Sequence, residues 1–362
     1  MCNTKEAAAH FPKGKIQLRY CKDCGYIGNE AYESGKVTFD NYDFSNDFSL
    51  IFSAYVHELC NQLISQYDLR EKIILDVGCG DGYFLKTMCR LGNNKGIGID
   101  SGFNHSKRPV EDDLDIQFFQ DYYSAKYNNL QPDFVSCRLV IDLLPDPIGF
   151  LKIFRENLMG RPDTIVFFEV PYTNYTFEQN VIWNVVYEHR SWFTKASFSH
   201  LFESCGFEVI DLPLLWNDEF LGLVAKIKSY DAASAPTQVN RQDTLWKTID
   251  KFSESYQNQL EKYKLQIEQI RKNYSKIAAW GAGARGVSFF NLYKLNDLVT
   301  YVVDINEKRQ GKFIPGSGQE IVSPEYLKTY QPDLIIITNP SYAEEIKAQA
   351  RALGAQSDFW VL

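Results

Sequence analysis

The sequence predicts an α/β protein built from two doubly wound units, and three observations carry that expectation. Short apolar runs alternate with amphipathic stretches twice along the chain, first from "KIILDVG" and again from "KIAAWG". Such alternation builds parallel sheets with helices on their faces. Each half also opens on a glycine-rich turn, "DVGCGDG" at 76–82 and "WGAGARG" at 280–286. In each half an acid ends the next apolar run. Asp100 lies 18 residues after Gly82, and Asp304 lies 18 residues after Gly286. An acid there can accept hydrogen bonds from ribose hydroxyls.

The elements follow in order. Residues 1–45 are irregular, aromatic and polar, and read as a small N-terminal module. In "SLIFSAYVHELCNQLISQY", Ile51, Tyr55, Leu59 and Leu63 recur every four residues, one face of a helix. "KIILDVG", "NKGIGID", "DIQFFQ", "PDFVSCRLV" and "DTIVFFEVP" read as strands, with helices in "GYFLKTMCRLG", "IGFLKIFRENLM" and "KASFSHLFESCG". "FEVIDLPLL" and "EFLGLVAKI" read as a closing hairpin of the first α/β unit, which spans 46–228. A small, polar linker, "SYDAASAPTQVN", then leads to a long amphipathic helix, together 229–275. Its apolar positions, Leu245 to Ile270, step by threes and fours and suit packing against a domain. The second unit, 276–362, holds strands in "KIAAWG", "VTYVVDIN", "DLIIITN" and "DFWVL", and helices in "GVSFFNLYKL", "SPEYLKTY" and "YAEEIKAQARALG".

Composition narrows the function classes. The 362 residues are 45% hydrophobic, with a net charge of -8. Nucleic-acid and anionic-membrane binders need a clustered positive footprint, so neither partner is expected. No apolar run reaches the ~18 residues that cross a bilayer. The N-terminal stretch lacks the apolar region of a secretory signal. Eight cysteines in such a chain read as reduced thiols in a cytoplasmic protein.

Charge separates the two glycine turns. The first carries Asp76 at the strand end and Asp81 in the loop. A pyrophosphate would face both carboxylates. S-adenosylmethionine (SAM) instead presents a sulfonium and an ammonium that both acids attract, while its carboxylate suits N–H groups at a helix start. Gly78, Gly80 and Gly82 allow close approach of a ligand to the backbone. Asp76, Gly78, Gly80, Asp81, Gly82 and Asp100 are therefore the expected SAM residues. Asp121, after the third strand, is placed to accept from the adenine amino group, with Tyr122 or Tyr123 against the ring. Cys137 and Arg138 border the methionine end. The second turn has no acid and holds Arg285, so Gly283 and Arg285 suit an anion such as a phosphate or sugar-nucleotide diphosphate. NAD remains an alternative there, and a turn kept without a ligand is another.

"RYCKDCGYIG", "LDVGCGDGYFLK", "FFEVPY", "VVYEHRSWFT", "WGAGARG", "YVVDINEKRQGKFIPGSGQEIVSPEYL" and "DLIIITNPSYAEEI" together resemble the bacterial sugar C-methyltransferases, across nearly the whole chain. The resemblance implies three parts: a zinc-binding N-terminal module, a class I SAM-methyltransferase Rossmann-like domain, and a Rossmann-like C-terminal domain that closes over the sugar nucleotide. It also implies a nucleotide-linked keto-deoxysugar as substrate.

The chain departs from that family at two places. Two CxxC pairs usually hold zinc; here Cys21 and Cys24 form one pair, and the other is reduced to Cys2. His10 offers a fourth ligand, since three thiolates and an imidazole can hold tetrahedral zinc. The family's Tyr-His-Glu-His segment reads "VVYEH" here. Glu188 and His189 match it, Val186 stands where the tyrosine would be, and Tyr187 takes the neighbouring histidine's place. Tyr42 is the nearest match to a further active-site tyrosine. For C-methylation beside a ketone, a base removes the α-proton and donors stabilise the enolate. His189 suits the base, Glu188 an orienting role, and Tyr187 or Tyr42 the donor. Two alternatives remain: O-methylation of a sugar or related small molecule, which needs only the base, and a non-catalytic scaffold that keeps the SAM fold.

Overall fold

The computed structural model describes residues 1–37, 48–103, 113–228 and 245–362. Three sheets organise them. The N-terminal module contains helix α1 (Lys5–Ala9) and strands β1 (Leu18–Tyr20) and β2 (Ile27–Asn29). Thr4 caps α1 by accepting from the Ala7 N–H at 3.1 Å. The sequence reading left this region irregular. Its hairpin forms because β2 finds a distant partner, β8 (Ser191–Trp192), giving an antiparallel sheet in the order β1-β2-β8.

The first α/β unit begins with α2 (Leu50–Tyr67), capped by Ser49. Its face of Phe52, Val56, Leu59, Cys60 and Leu63 is buried. The chain then runs through β3 (Ile73–Val77), α3 (Tyr83–Gly92), β4 (Lys95–Ile99), β5 (Ile116–Phe119), β6 (Phe134–Arg138), α4 (Pro147–Asn157), β7 (Ile165–Pro171) and α5 (Thr173–Glu178). After β8 come α6 (Lys195–Ser204), β9 (Phe207–Asp211), β10 (Leu214–Leu215) and β11 (Phe220–Ile227). The sheet order is β10-β11-β7-β6-β3-β4-β5, with β9 also on β11. β3 to β7 run parallel, while β11 pairs antiparallel to β7. Strand order reverses at β3, which lies between β4 and β6; ligands of such sheets bind beyond the carboxyl ends at this switch point. This is the class I SAM-methyltransferase Rossmann-like architecture that the sequence predicts.

Helix α7 (Leu245–Asn273) packs rather than projects. Phe252, Ile267 and Ile270 join one apolar core with Phe177, Trp183 and Phe289, so the helix seals both α/β units. The second unit holds β12 (Ile277–Trp280), α8 (Ala284–Tyr293), β13 (Tyr301–Val303), β14 (Glu320–Val322), α9 (Leu327–Tyr330), β15 (Leu334–Ile337), α10 (Ala343–Ala352) and β16 (Asp358–Val361). Its parallel sheet runs β14-β13-β12-β15-β16. Strand β14, three residues long, is too short to show a period of its own in the sequence. "SPEYLKTY" forms a 3-10 turn, with Pro324 at its first position, before the four-residue α9. No described helix is long and apolar enough to cross a membrane.

Candidate active site

The first glycine turn lies at the switch point. The Gly78 N–H donates to the Ile99 carbonyl at 2.7 Å, and the Gly80 N–H to Asp100 Oδ2 at 2.9 Å. Asp100 Oδ1 accepts from the Gly102 N–H at 2.7 Å. Gly80 has φ of +54°, and among the described residues a Cβ there would meet nothing within 4 Å. A left-handed backbone position that opens onto empty space suits a ligand lying against the chain. Asp76 is buried and accepts from Ser136 Oγ at 2.7 Å. Burial pushes its carboxyl up to about 7, outweighing that hydrogen bond. The Asp121 N–H donates to the Asp100 carbonyl at 3.1 Å, so these two acids are neighbours. Asp121 is held by Lys126, by the Tyr127 hydroxyl at 2.7 Å and by the Tyr122 N–H at 2.8 Å; its carboxyl stays below the usual range. Tyr122 is exposed, whereas Tyr123 is buried and stacks on Tyr127.

Asp81 is already in a contact that no local pattern reveals. Lys308 of the second α/β unit places Nζ 2.6 Å from its Oδ2. The C-terminal domain therefore touches the SAM turn directly. At the methionine end, Cys137 is wholly buried. Arg138 pairs with Glu169 at 2.9 and 3.2 Å, and Tyr55 donates to the same carboxylate at 3.3 Å.

The second glycine turn is closed by its own protein. Asp304 accepts from the Ala282 N–H at 2.8 Å, mirroring Asp100, but it is buried and paired with Arg309 at 3.2 Å. A Cβ at Gly286 would stand 2.3 Å from the Gly281 carbonyl oxygen, so this glycine serves close packing of helix on turn. Gly283 has an ordinary extended backbone. The expectation that Arg285 offers an anion site is corrected. Its Nε donates to Asn184 at 2.6 Å, Nη1 to Asn339 at 2.7 Å and Nη2 to Glu219 at 2.6 Å. Ser341 also donates to Glu219. Arg285 thus clamps the two α/β units together across a buried ion pair.

His189 lies just before β8. Burial pushes its imidazole down to about 4, so the ring is neutral at ordinary pH. Its Nε2 stands 3.6 Å from Oδ2 of Asp142, a residue the sequence reading did not single out. Asp142 is buried, and burial pushes its carboxyl up to about 7. Its one available signal was an acid inside the apolar run "VIDLL", between two residues that are both buried. The backbone fixes the approach: the Asp142 carbonyl accepts from the N–H groups of Arg190 and Ser191 at 2.9 and 3.0 Å. Nearby Leu139 has φ of +56°. A bulky residue in that region is strained, and such strain gathers at functional sites.

The remaining predicted residues go elsewhere. Tyr187 stacks on Tyr32 with centroids 5.3 Å apart, and its hydroxyl oxygen accepts from the Glu33 N–H at 2.8 Å, so it braces the N-terminal module. Glu188 is half-buried and faces Tyr32. Tyr42 falls outside the described residues. The expected zinc set is corrected too. Cys2 is bridged to Phe313 of the C-terminal domain, and the His10 ring pairs with the Glu6 carbonyl at 2.8 Å. Cys21 and Cys24 remain neighbours in one turn, where hydrogen bonds from the Cys24 and Asp23 backbone lower the Cys21 thiol. Among the described residues, no three His, Cys, Asp or Glu side chains converge as a metal site. The four candidates therefore do not fit a zinc ion.

Two family models match the chain. Residues 52–212 match the family model of a methyltransferase domain, and residues 236–362 match that of a C-methyltransferase C-terminal domain. The C-methyltransferase NovU of Streptomyces niveus is 26% identical over 196 residues, covering 51% of this chain and 46% of that protein. The ubiquinone biosynthesis O-methyltransferase of Salmonella paratyphi A is 31% identical over 104 residues, 27% of this chain and 41% of that protein. The chain thus spans less than half the length of these curated relatives. Among solved structures, the magnesium protoporphyrin IX methyltransferase of Synechocystis with bound SAH aligns with TM-score 0.38 and 15% identity, covering 53% of this chain and 91% of that one. A SAM-dependent methyltransferase of Clostridium acetobutylicum aligns with TM-score 0.37 and 11% identity, covering 49% and 92%. Residues 52–212 form a SAM-dependent methyltransferase domain, and SAM is the cofactor of that domain.

Proposed function

We propose that this protein transfers the methyl group of SAM to a carbon of a nucleotide-linked keto-deoxysugar. The observation that carries the reading is a buried, neutral imidazole, His189, in the unit that also holds the SAM turn. The match of residues 236–362 to a C-methyltransferase C-terminal domain favours carbon over oxygen as the acceptor. His189 takes the proton beside the ketone. The enolate carbon attacks the methyl group in line, and the carbon–sulfur bond breaks with its electron pair staying on sulfur. S-adenosylhomocysteine (SAH) leaves, and the imidazolium returns its proton to solvent. Asp76, Asp81 and Asp100 attract or hold the cofactor, and Asp121 stands beside Asp100 for the adenine. Glu188 orients the substrate or the ring, and Tyr42 donates to the enolate oxygen, since Tyr187 braces the N-terminal module.

His189→Asn tests the assignment. SAH affinity, measured by calorimetry, is expected to stay within about twofold. Turnover of keto-sugar nucleotides is expected to fall at least about 100-fold, the lower range for a lost general base. A variant that keeps more than a tenth of the wild-type rate removes His189 from the mechanism. Methylation of a hydroxyl instead of a carbon, read by NMR of the product, would replace the reaction by O-methylation.

A further inference from the structure

A buried imidazole held near pKa 4 is a weak base for a carbon acid, because proton-transfer efficiency follows basicity. His189 therefore needs a partner that stabilises its protonated form. We propose that Asp142 is the positioning residue of His189: its Oδ2 accepts the Nε2 proton, which leaves Nδ1 as the atom that receives the substrate's proton. The inference rests on the reading of His189 as base and adds the partner, the tautomer and the reacting nitrogen.

Geometry supplies the argument. Nε2 and Oδ2 are 3.6 Å apart, just beyond hydrogen-bond length, and catalytic hydrogen bonds often tighten only when substrate binds. Asp142 is buried and His189 nearly so, with side-chain exposures of 3% and 14%. The loop after β6 and the segment entering β8 are stitched together by the two N–H bonds to the Asp142 carbonyl. That stitching uses only backbone, so it does not require an aspartate. Among the described residues, Asp142 Oδ1 has no hydrogen-bond partner, and neither does Nε1 of Trp192, whose ring lies edge-on to His189 at 6.1 Å. A buried, half-satisfied carboxyl costs stability that an apolar side chain would not. The gain must lie in what the carboxylate does to the imidazole. When Nδ1 takes the proton, the carboxylate offsets the new positive charge and fixes the ring.

Among the described residues, the charged surroundings are few. Cys137 faces Asp142 from β6. Glu188 and Arg190 flank His189 on its own segment, and Tyr32 from the N-terminal module faces both of those. The active pair needs Asp142 ionised and His189 neutral. Asp142 ionises as pH rises through about 7, so the rate climbs through that value as one macroscopic step of the pair.

The test uses the full chain with 15N-labelled histidine. His189 should show the Nε2–H tautomer, assigned by its loss in His189→Gln. In Asp142→Asn that preference should weaken or vanish. Turnover should fall at least about tenfold with KM and SAH affinity unchanged, and the limb of the kcat/KM profile near pH 7 should disappear. Asp142→Glu should restore part of the rate. An Nδ1–H tautomer in the wild type, or an Asp142→Asn profile that matches the wild type, overturns the dyad. A dyad tautomer together with an active His189→Asn variant keeps the pair and removes only the base reading. If Asp142→Asn fails to bind SAH, the tautomer of the wild type still decides.

Discussion

The two glycine turns share a blueprint and differ in what fills them. In each, a strand enters the turn, the turn's N–H donates to the acid that ends the next strand, and a helix follows. Around the first turn, Asp76 is buried without an ion-pair partner among the described residues, and the space beyond Gly80 is open. Around the second, Asp304 has Arg309, Arg285 has Glu219, and Gly286 is packed against backbone. One turn keeps Asp76 without an ion-pair partner among the described residues, and Asp81 paired only with a half-exposed lysine, beside open space, a place for a cationic ligand. The other has neutralised its charges internally and turned its arginine toward the neighbouring domain. Identical spacing therefore does not imply identical use; the pairing of charges decides.

The largest expected effect comes from breaking the second turn. Arg285→Ala leaves Glu219 buried with its charge uncompensated, and loss of one partner of a buried pair costs about 3–5 kcal/mol. Chemical denaturation should register a loss of that size, while SAH affinity of the folded protein stays near wild type. A large loss of SAH affinity with unchanged stability would mean that Arg285 serves a ligand after all.

A smaller effect sharpens the first turn. The Asp76 carboxyl is raised to about 7 by burial, so in the ligand-free protein it contributes stability at low pH that is lost as pH rises through that value. A cation bound beside it favours the ionised form. SAM affinity should therefore tighten from pH 6 to pH 8, by up to about tenfold per unit below 7, as calorimetry at three pH values would show. Affinity that is flat across that range, or weaker at pH 8, would place the sulfonium away from Asp76.

Much of this contrast was legible in the sequence, and its gaps share one cause. Periodicity marks strands β3 to β7 and helix α7 because each buries a continuous face. The two acids of "DVGCGDG" and the basic second turn are equally visible. Invisible are the partners set by long-range contacts. The N-terminal hairpin depends on β8, some 160 residues away. Arg285 reads as an anion site until Glu219 and Asn184 arrive from the other domain. Asp142 looks like one acid in an apolar loop until the segment before β8 brings His189 to it. Strand β14 is too short to show a period of its own. Cys2 and His10 fit a ligand set on paper, but the chain carries Cys2 to Phe313 instead.

The smallest expected effect lies where the two units meet. Lys308 pairs with Asp81 at 2.6 Å, and a cationic ligand competes with it. The pair is partly exposed and worth at most about 1 kcal/mol. Lys308→Met should tighten SAM by no more than about fivefold, read by competition with labelled SAH. Weaker SAM binding would instead make Lys308 a direct contact to the cofactor's carboxylate.

The most direct measurement is calorimetric titration of the full chain with SAH and, separately, with NAD. One equivalent of SAH binding with no heat from NAD is the expected result, since only the first turn is open and acidic. Binding of NAD without SAH would reverse the roles of the two turns.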